Sequence, residues 1–287
     1  MMYTTLIQPS ELQALQRNGA PVRVFDVSFD LTRPEQGNAS YLETHLAGAL
    51  HADINLVLSA KDPREALNGG RHPLPRRERL AQWLSSQGVD DQTQVVVYDR
   101  NAMNYCGRLW WMLKWCGHEA VAVLDGGLQA WVAEGGAVSQ GAEPAPAARH
   151  FSLRPALARL VHTTEVAAQL DNPEVQTLID ARATPRFRGE TEPLDPVAGH
   201  IPGALNRPYG QNLDANGKFK SAEVLRGEFQ QLLGQRAPTS VVHHCGSGVS
   251  AVPNILAMEI AGLGHTALYA GSWSEWCTTP GLPCAKG

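Results

Sequence analysis

The chain has 287 residues, 43% apolar and 18% charged, with a net charge of −4 at neutral pH. At roughly 150 residues per domain this is room for two domains with sizeable cores, and the acidic balance excludes a broadly basic nucleic-acid surface. No run approaches the ~18 apolar residues of a membrane span, and the first nine residues lack the basic start and apolar run of a secretory leader. In chain order, the apolar run at 22–27 reads as a strand. A helical stretch at 76–87, a strand at 94–98, a helix at 104–116 and a strand at 120–124 follow. Residues 135–158 are rich in Gly, Ala and Pro and read as a linker that partly wraps the surface. Beyond it come a helix at 163–170, a strand at 175–180, a helix at 221–234, a strand at 239–244, a helix at 251–262 and a strand at 266–270. The strands lack polar alternation, so they are expected to be buried on both faces, as in a parallel sheet. Alternating strand and helix predicts an α/β fold.

Half of the chain repeats the other half. Val24-Phe25-Asp26 resembles Leu178-Ile179-Asp180 at an offset of 154, and His-Leu-Ala-Gly-Ala-Leu at 45–50 resembles His-Ile-Pro-Gly-Ala-Leu at 200–205 at an offset of 155. Val-Val-Val-Tyr-Asp at 95–99 resembles Val-Val-His-His-Cys at 241–245 at an offset of 146. Gly117-His118 resembles Gly264-His265, and the segment at 125–131 resembles 270–276. A period this long means two copies of one domain. Residues 1–140 are expected to form the first, 141–157 a linker and 158–287 the second. The shrinking offset places extra residues in the first copy, in a Gly/Pro-rich stretch at 55–75. An extra loop in one copy points to a task of its own.

Five cysteines are too few and too scattered for a disulfide framework, so a reducing cytoplasm is the expected compartment. One of them stands apart. Cys245 ends a strand and begins Cys-Gly-Ser-Gly-Val-Ser-Ala, with a helix following and Pro253 near its first turn. Ligands of open α/β sheets bind at the carboxyl ends of strands. Gly246 and Gly248 let the backbone turn its N–H groups inward, and the helix N-terminus adds positive potential. Such a cradle suits an anionic sulfur at its centre and an anion above it. Cys245 therefore reads as a nucleophile, and Cys106, Cys116, Cys277 and Cys284 as ordinary small buried side chains. In the first copy Asp99 stands in the matching place. A carboxylate carries no transferable sulfur, so that copy is expected to be silent.

These features resemble the tandem-domain sulfurtransferases of the rhodanese family over nearly the whole chain. The matching pieces are the His-x-x-Gly-Ala segments at 45–49 and 200–204, Leu-Asp-Gly-Gly at 124–127 and Gly-Ser-Trp at 271–273. The resemblance implies two rhodanese-like domains, each a central mainly parallel sheet flanked by helices. The loop Cys-Gly-Ser-Gly-Val looks like the 3-mercaptopyruvate type, whereas the thiosulfate type carries two basic residues where this chain has Gly246 and Ser247. By the same resemblance Arg186 reaches the substrate anion, and Ser247 works with a histidine matched by His72. Arg suits a carboxylate because its fork binds bidentately. Arg188 is either a second substrate ligand or a solvated side chain, and Arg182 lies beside Asp180 and suits a structural pair. Gly246, Gly248, Val249 and Ser250 complete the anion cradle.

Two departures stand out. The family's aspartate aligns with Asn55, with Asp53 two residues away. A second substrate arginine is expected near 194–195, where Leu194 and Asp195 stand; Arg71 and Arg188 are the candidate replacements. The expected reaction is a two-step transfer. Cys245 takes sulfur from a small anionic donor, 3-mercaptopyruvate favoured and thiosulfate the alternative, and passes it to cyanide, a small thiol or a thioredoxin-like protein. No cofactor, metal, nucleic acid or membrane partner is expected. His243, His244 and Cys245 alternate along one strand, which is poor for one metal site. A cysteine phosphatase needs an arginine six positions after the cysteine, and position 251 is Ala251. A serine hydrolase elbow and a phosphate-binding P-loop are also missing. The reading from another class is a binding module or sulfur carrier without turnover.

Overall fold

The computed structural model describes residues 2–287, which divide into two compact units. The first unit takes the residues up to Ala60, Pro75–Leu157 and Asn216–Lys218. Its elements are β1 (Leu6–Ile7), α1 (Pro9–Arg17), β2 (Val22–Asp26), α2 (Glu35–Glu43), β3 (His45–Leu46), β4 (Leu50–His51), α3 (Arg77–Ser86), β5 (Gln94–Tyr98), α4 (Gly107–Trp115), β6 (Val121–Leu124), α5 (Gly127–Ala133) and β7 (Val138–Ser139). Five strands form a parallel sheet in the order β1-β6-β5-β2-β4. Every residue of the central β5 is buried, as its unbroken apolar run requires of a strand covered on both faces. The Gly/Ala/Pro-rich stretch lies along this unit: β7 pairs antiparallel with β3, Phe151 is buried, and Arg149 and Arg154 reach Asp90 and Asp91 at 2.7 and 3.0 Å.

The second unit takes Lys61–Leu74, Ala158–Ala215 and Phe219–Gly287. It runs β8 (Arg159–Val161), α6 (Thr163–Ala168), β9 (Thr177–Asp180), α7 (Thr184–Phe187), β10 (Leu205–Asn206), α8 (Ala222–Leu233), β11 (Val241–His244), α9 (Val252–Ile260), β12 (Ala267–Tyr269) and α10 (Ser272–Trp276). Its parallel sheet has the order β10-β9-β11-β12-β8. Replacing each strand by its counterpart in the first unit gives the same order, so the sequence repeat is a repeat of topology. The register agrees. Asp26 on β2 lies opposite Tyr98 on β5, and Asp180 on β9 lies opposite His244 on β11. Asp99 and Cys245 are thus equivalent, each the first residue past the central strand.

The repeated histidines have a structural use. His45 Nδ1 lies 2.8 Å from the Tyr41 carbonyl with its ring stacked on Tyr41. His200 Nδ1 lies 2.8 Å from the Phe187 carbonyl with its ring stacked on Phe187. In the second unit this fastens the last residue of α7, the helix that carries Arg186. The cores fill the space under each sheet. Leu12, Val24, Val96, Leu124 and Trp131 pack in the first, and Val166, Leu178, Val242, Tyr269, Trp273 and Trp276 in the second. Among the described residues no helix is long and apolar enough to cross a membrane.

Candidate active site

The loop after β11 is fixed by its glycines and by bonds to α10. Gly248 has φ +71°, and a Cβ there would lie 2.4 Å from the Ala270 carbonyl oxygen, so both its conformation and its space demand glycine. The carbonyls of Cys245 and Gly246 face away from the cradle. They accept from the N–H groups of Trp273 and Ser274 at the start of α10, at 3.0 and 2.9 Å. The Cys245 N–H donates to Ser272 Oγ at 3.1 Å, and Ser272 in turn donates to the Tyr269 carbonyl. The Gly-Ser-Trp segment thus takes up the first two carbonyls of the loop and fixes its path. On α9, Pro253 falls in the first turn, where a missing N–H costs little. Cys245 is 2% exposed and Val249 and Ser247 are buried, while Ser250 is half-buried.

The first unit shows what such a loop does when an anion is supplied by the chain itself. The Asp99 carboxylate accepts four backbone N–H bonds, from Asn101 at 2.8 Å, Met103 at 2.9 Å, Tyr105 at 2.8 Å and Cys106 at 2.8 Å. Burial pushes this carboxyl above its usual range, and the N–H groups of Cys106, Tyr105 and Asn101 pull it part of the way back. In the first unit the loop is therefore an anion cradle filled by a carboxylate, and the equivalent position in the second unit holds a thiol.

Residues 61–74 belong to the second unit and bring two further groups to Cys245. His72 Nδ1 lies 2.8 Å from Ser247 Oγ, and both side chains are buried. The Arg71 N–H donates to Ser274 Oγ at 3.0 Å, and its carbonyl accepts from Lys61 Nζ at 2.8 Å. These bonds aim the Arg71 side chain at the loop. A Cβ on residue 246 would lie 3.0 Å from Arg71 Nη2, and 3.7 and 3.8 Å from the two terminal nitrogens of Arg186. Two guanidiniums thus face Gly246, one residue from the thiol. Arg186 is held by Glu192 at 2.7 Å, and Asp195 reaches Arg71 at 2.7 Å and Arg186 at 3.3 Å.

Not every predicted residue joins this cluster. Arg188 is 56% exposed along its side chain and sits 3.8 Å from Glu190. Arg182 is buried, bonded to Asp180 at 2.7 Å and to the Gly199 carbonyl, with its guanidinium over the Trp273 ring. In the first unit Asp53 caps its own turn, accepting from the N–H groups of Asn55 and Leu56 at 2.7 and 2.9 Å. Four contributors went unread in the sequence: Ser272, Ser274, Glu192 and Asp195. The two serines lie in the Gly-Ser-Trp-Ser stretch that repeats the segment at 126–129. Their hydroxyls have no counterpart there to announce them. Asp195 was visible only as an acid where an arginine was expected.

Of the other four thiols, Cys106 and Cys116 are buried as expected, whereas Cys277 is half-buried and Cys284, at the end of the chain's last loop, is exposed; burial still raises the Cys284 thiol. Burial and Asp99 push Cys106 far up, and burial pushes Cys116 and Cys277 to about 11. The two histidines before Cys245 point to opposite faces of β11. His243 Nε2 lies 3.3 Å from the Met258 sulfur, and His244 Nδ1 lies 3.9 Å from Asp180. Burial lowers both, His243 to about 3, so His243 is neutral at physiological pH.

Comparison with known proteins identifies the family. The rhodanese-like domain model matches residues 8–134 and again 162–279. A probable 3-mercaptopyruvate sulfurtransferase of Pseudomonas aeruginosa is 44% identical over 265 residues, covering 92% of each chain. The human 3-mercaptopyruvate sulfurtransferase is 35% identical over 91% of this chain and 86% of its own. A putative thiosulfate sulfurtransferase of Mycobacterium tuberculosis is 37% identical over 98% of this chain and 97% of its own. The solved 3-mercaptopyruvate sulfurtransferase of Leishmania major superposes with a TM-score of 0.82 at 31% identity, covering 97% of this chain and 76% of that one. With both copies matched and sulfurtransferases of more than 30% identity spanning it nearly end to end, the chain belongs to the rhodanese family and is a sulfurtransferase.

Proposed function

We propose that the chain takes sulfur from 3-mercaptopyruvate onto Cys245 and passes it to a small thiol, a thioredoxin-like protein or cyanide. The observation that carries this reading is the 2.8 Å contact between His72 and Ser247 beside a loop with no cation of its own. A compact dianion such as thiosulfate gains from cations within the loop. A thiol-bearing keto acid needs a proton moved, and a hydroxyl paired with an imidazole can move it.

In this reading Arg71 and Arg186 hold the donor carboxylate and fix the reacting sulfur near Cys245. The Cys245 thiolate attacks that sulfur. A sulfur–sulfur bond forms, the carbon–sulfur bond breaks, and its electron pair passes to carbon as the enolate of pyruvate. The donor thiol's proton travels through Ser247 and His72 to that carbon, giving pyruvate. The loop N–H groups stabilise the terminal sulfur of the persulfide. An acceptor thiolate then attacks the terminal sulfur, the sulfur–sulfur bond breaks, and the Cys245 thiolate returns. All five cysteines are free thiols, which fits a reducing cytoplasm as the setting.

The test is kcat/KM for 3-mercaptopyruvate and for thiosulfate, side by side with cyanide as acceptor. The expectation is a preference for 3-mercaptopyruvate of more than about tenfold, about 1.4 kcal/mol in transition-state binding, and no turnover by Cys245→Ser. Preference for thiosulfate would overturn the donor assignment. Turnover by Cys245→Ser would overturn the mechanism.

A further inference from the structure

The two guanidiniums facing Gly246 are already met by carboxylates. Asp195 is 4% exposed along its side chain and lies 2.7 Å from Arg71 Nη1 and 3.3 Å from Arg186 Nη2. Glu192 lies 2.7 Å from Arg186 and 3.4 Å from Arg182. Burial pushes the Glu192 carboxyl up, but the bonds from Arg186 and the Leu194 N–H outweigh it and hold the carboxyl below its usual range. Arg182 is bonded to the buried Asp180. Three guanidiniums therefore stand against three carboxylates, and the cluster is close to neutral. An anion docking on Arg71 and Arg186 shares them with Asp195 and meets its charge at close range. That repulsion scales with the charge of the newcomer, so a dianion suffers about twice what a monoanion does.

We propose that Asp195 is a specificity-determining residue: as the resident counter-ion of Arg71 and Arg186, it tunes the anion subsite to singly charged donors and against dianions. The proposal rests on the reading of these arginines as the donor's anchor. It assigns the selection to an acid at the rim of the site in addition to the neutral loop. Mercaptopyruvate carries one negative carboxylate, and thiosulfate carries two charges in a smaller volume.

The experiment pairs Asp195→Asn with Asp195→Glu. In the Asn variant kcat/KM for thiosulfate rises about tenfold, mostly through KM, while that for 3-mercaptopyruvate changes less than about threefold. The Glu variant keeps the charge and stays near the wild-type ratio. Asp195→Ser serves if the Asn variant does not fold. An unchanged donor ratio in the neutral variants overturns the proposal. So does an equal loss with both donors, which would mean that Asp195 only positions Arg71. Calorimetric binding of sulfate and acetate needs no turnover. Sulfate tightening about tenfold in Asp195→Asn, with acetate tightening about threefold or less, supports the charge rule even if neither donor reacts. Parallel changes in sulfate and acetate refute it even if sulfur transfer proceeds as proposed.

Discussion

Two glycines in one loop have different reasons to be glycine. Gly248 is fixed by backbone geometry: φ is +71° and the Ala270 carbonyl occupies the place of a Cβ. Gly246 has ordinary backbone, and its constraint is the Arg71 guanidinium, which stands close to where a Cβ would lie, with Arg186 in ordinary contact. Its nearest neighbour, Arg71 Nη2 at 3.0 Å, is the far end of a flexible side chain and can retreat. Gly246→Ala is therefore expected to fold with an unchanged melting temperature and to raise the donor KM roughly tenfold, about 1.4 kcal/mol, with kcat nearly preserved. Thermal unfolding and steady-state kinetics on one preparation check this; an unaltered KM would separate the arginines from donor binding. Much of this corner was legible from residue types alone. Cys245 and its glycines follow from a strand end and a helix start, while Arg186 was singled out among three nearby arginines by the family resemblance. Arg71 was only one of two candidate replacements for a missing arginine, and Ser274 and the part of Asp195 did not declare themselves, because the contacts among them join positions 71, 195 and 274, and a sequence read segment by segment carries no sign of such pairing.

At the scale of the element, β11 does two tasks. It is a fully buried central strand, and it ends on the reacting cysteine. Its apolar start was easy to read, but the two histidines at its end were placed only by the alternation rule. They lie on opposite faces, as alternation requires. The strands that escaped prediction, β1, β3, β4, β7, β8 and β10, have only two or three residues each. A sheet edge needs only a few ladder bonds, so such strands leave too short an apolar run to detect. Burial of His243 has a measurable consequence. Its folded-state value is lowered from 6.5 to about 3. Above pH 6.5 both folded and unfolded chains hold it neutral and it contributes nothing to pH dependence. As pH falls from 6.5 toward about 3, the unfolded chain takes up a proton that the folded chain refuses, and stability falls by up to ~1.4 kcal/mol per pH unit. Denaturant unfolding between pH 6 and 4 should show a shallower pH slope for His243→Gln than for the wild type, by close to one proton. Identical slopes would mean that His243 is protonated in the fold.

At the scale of the whole molecule, duplication explains why Asp99 and Cys245 occupy equivalent places. The two sheets share one strand order, and the same cradle follows the central strand in each. In one the carboxylate of Asp99 takes four N–H groups for good. In the other a thiol leaves the cradle to whatever charge the sulfur acquires. The repeat was plain in the sequence because its landmarks, the histidine segments and the Gly-rich turns, are fixed by backbone needs that both copies share. The assignment of Lys61–Leu74 to the second unit was not, because chain order says nothing of which core a loop joins. That loop supplies His72 and Arg71, so the second unit includes residues that precede the rest of it by more than eighty positions.

The central claim is that Cys245 carries the sulfur. The most direct measurement is the mass of the protein after incubation with 3-mercaptopyruvate without acceptor, followed by alkylation, digestion and peptide mapping. The account predicts one added sulfur atom on the peptide containing Cys245, its removal by a thiol acceptor, and no addition to Cys245→Ser. Sulfur on Cys106, Cys116, Cys277 or Cys284 instead, or turnover with no sulfur ever held on Cys245, would contradict it.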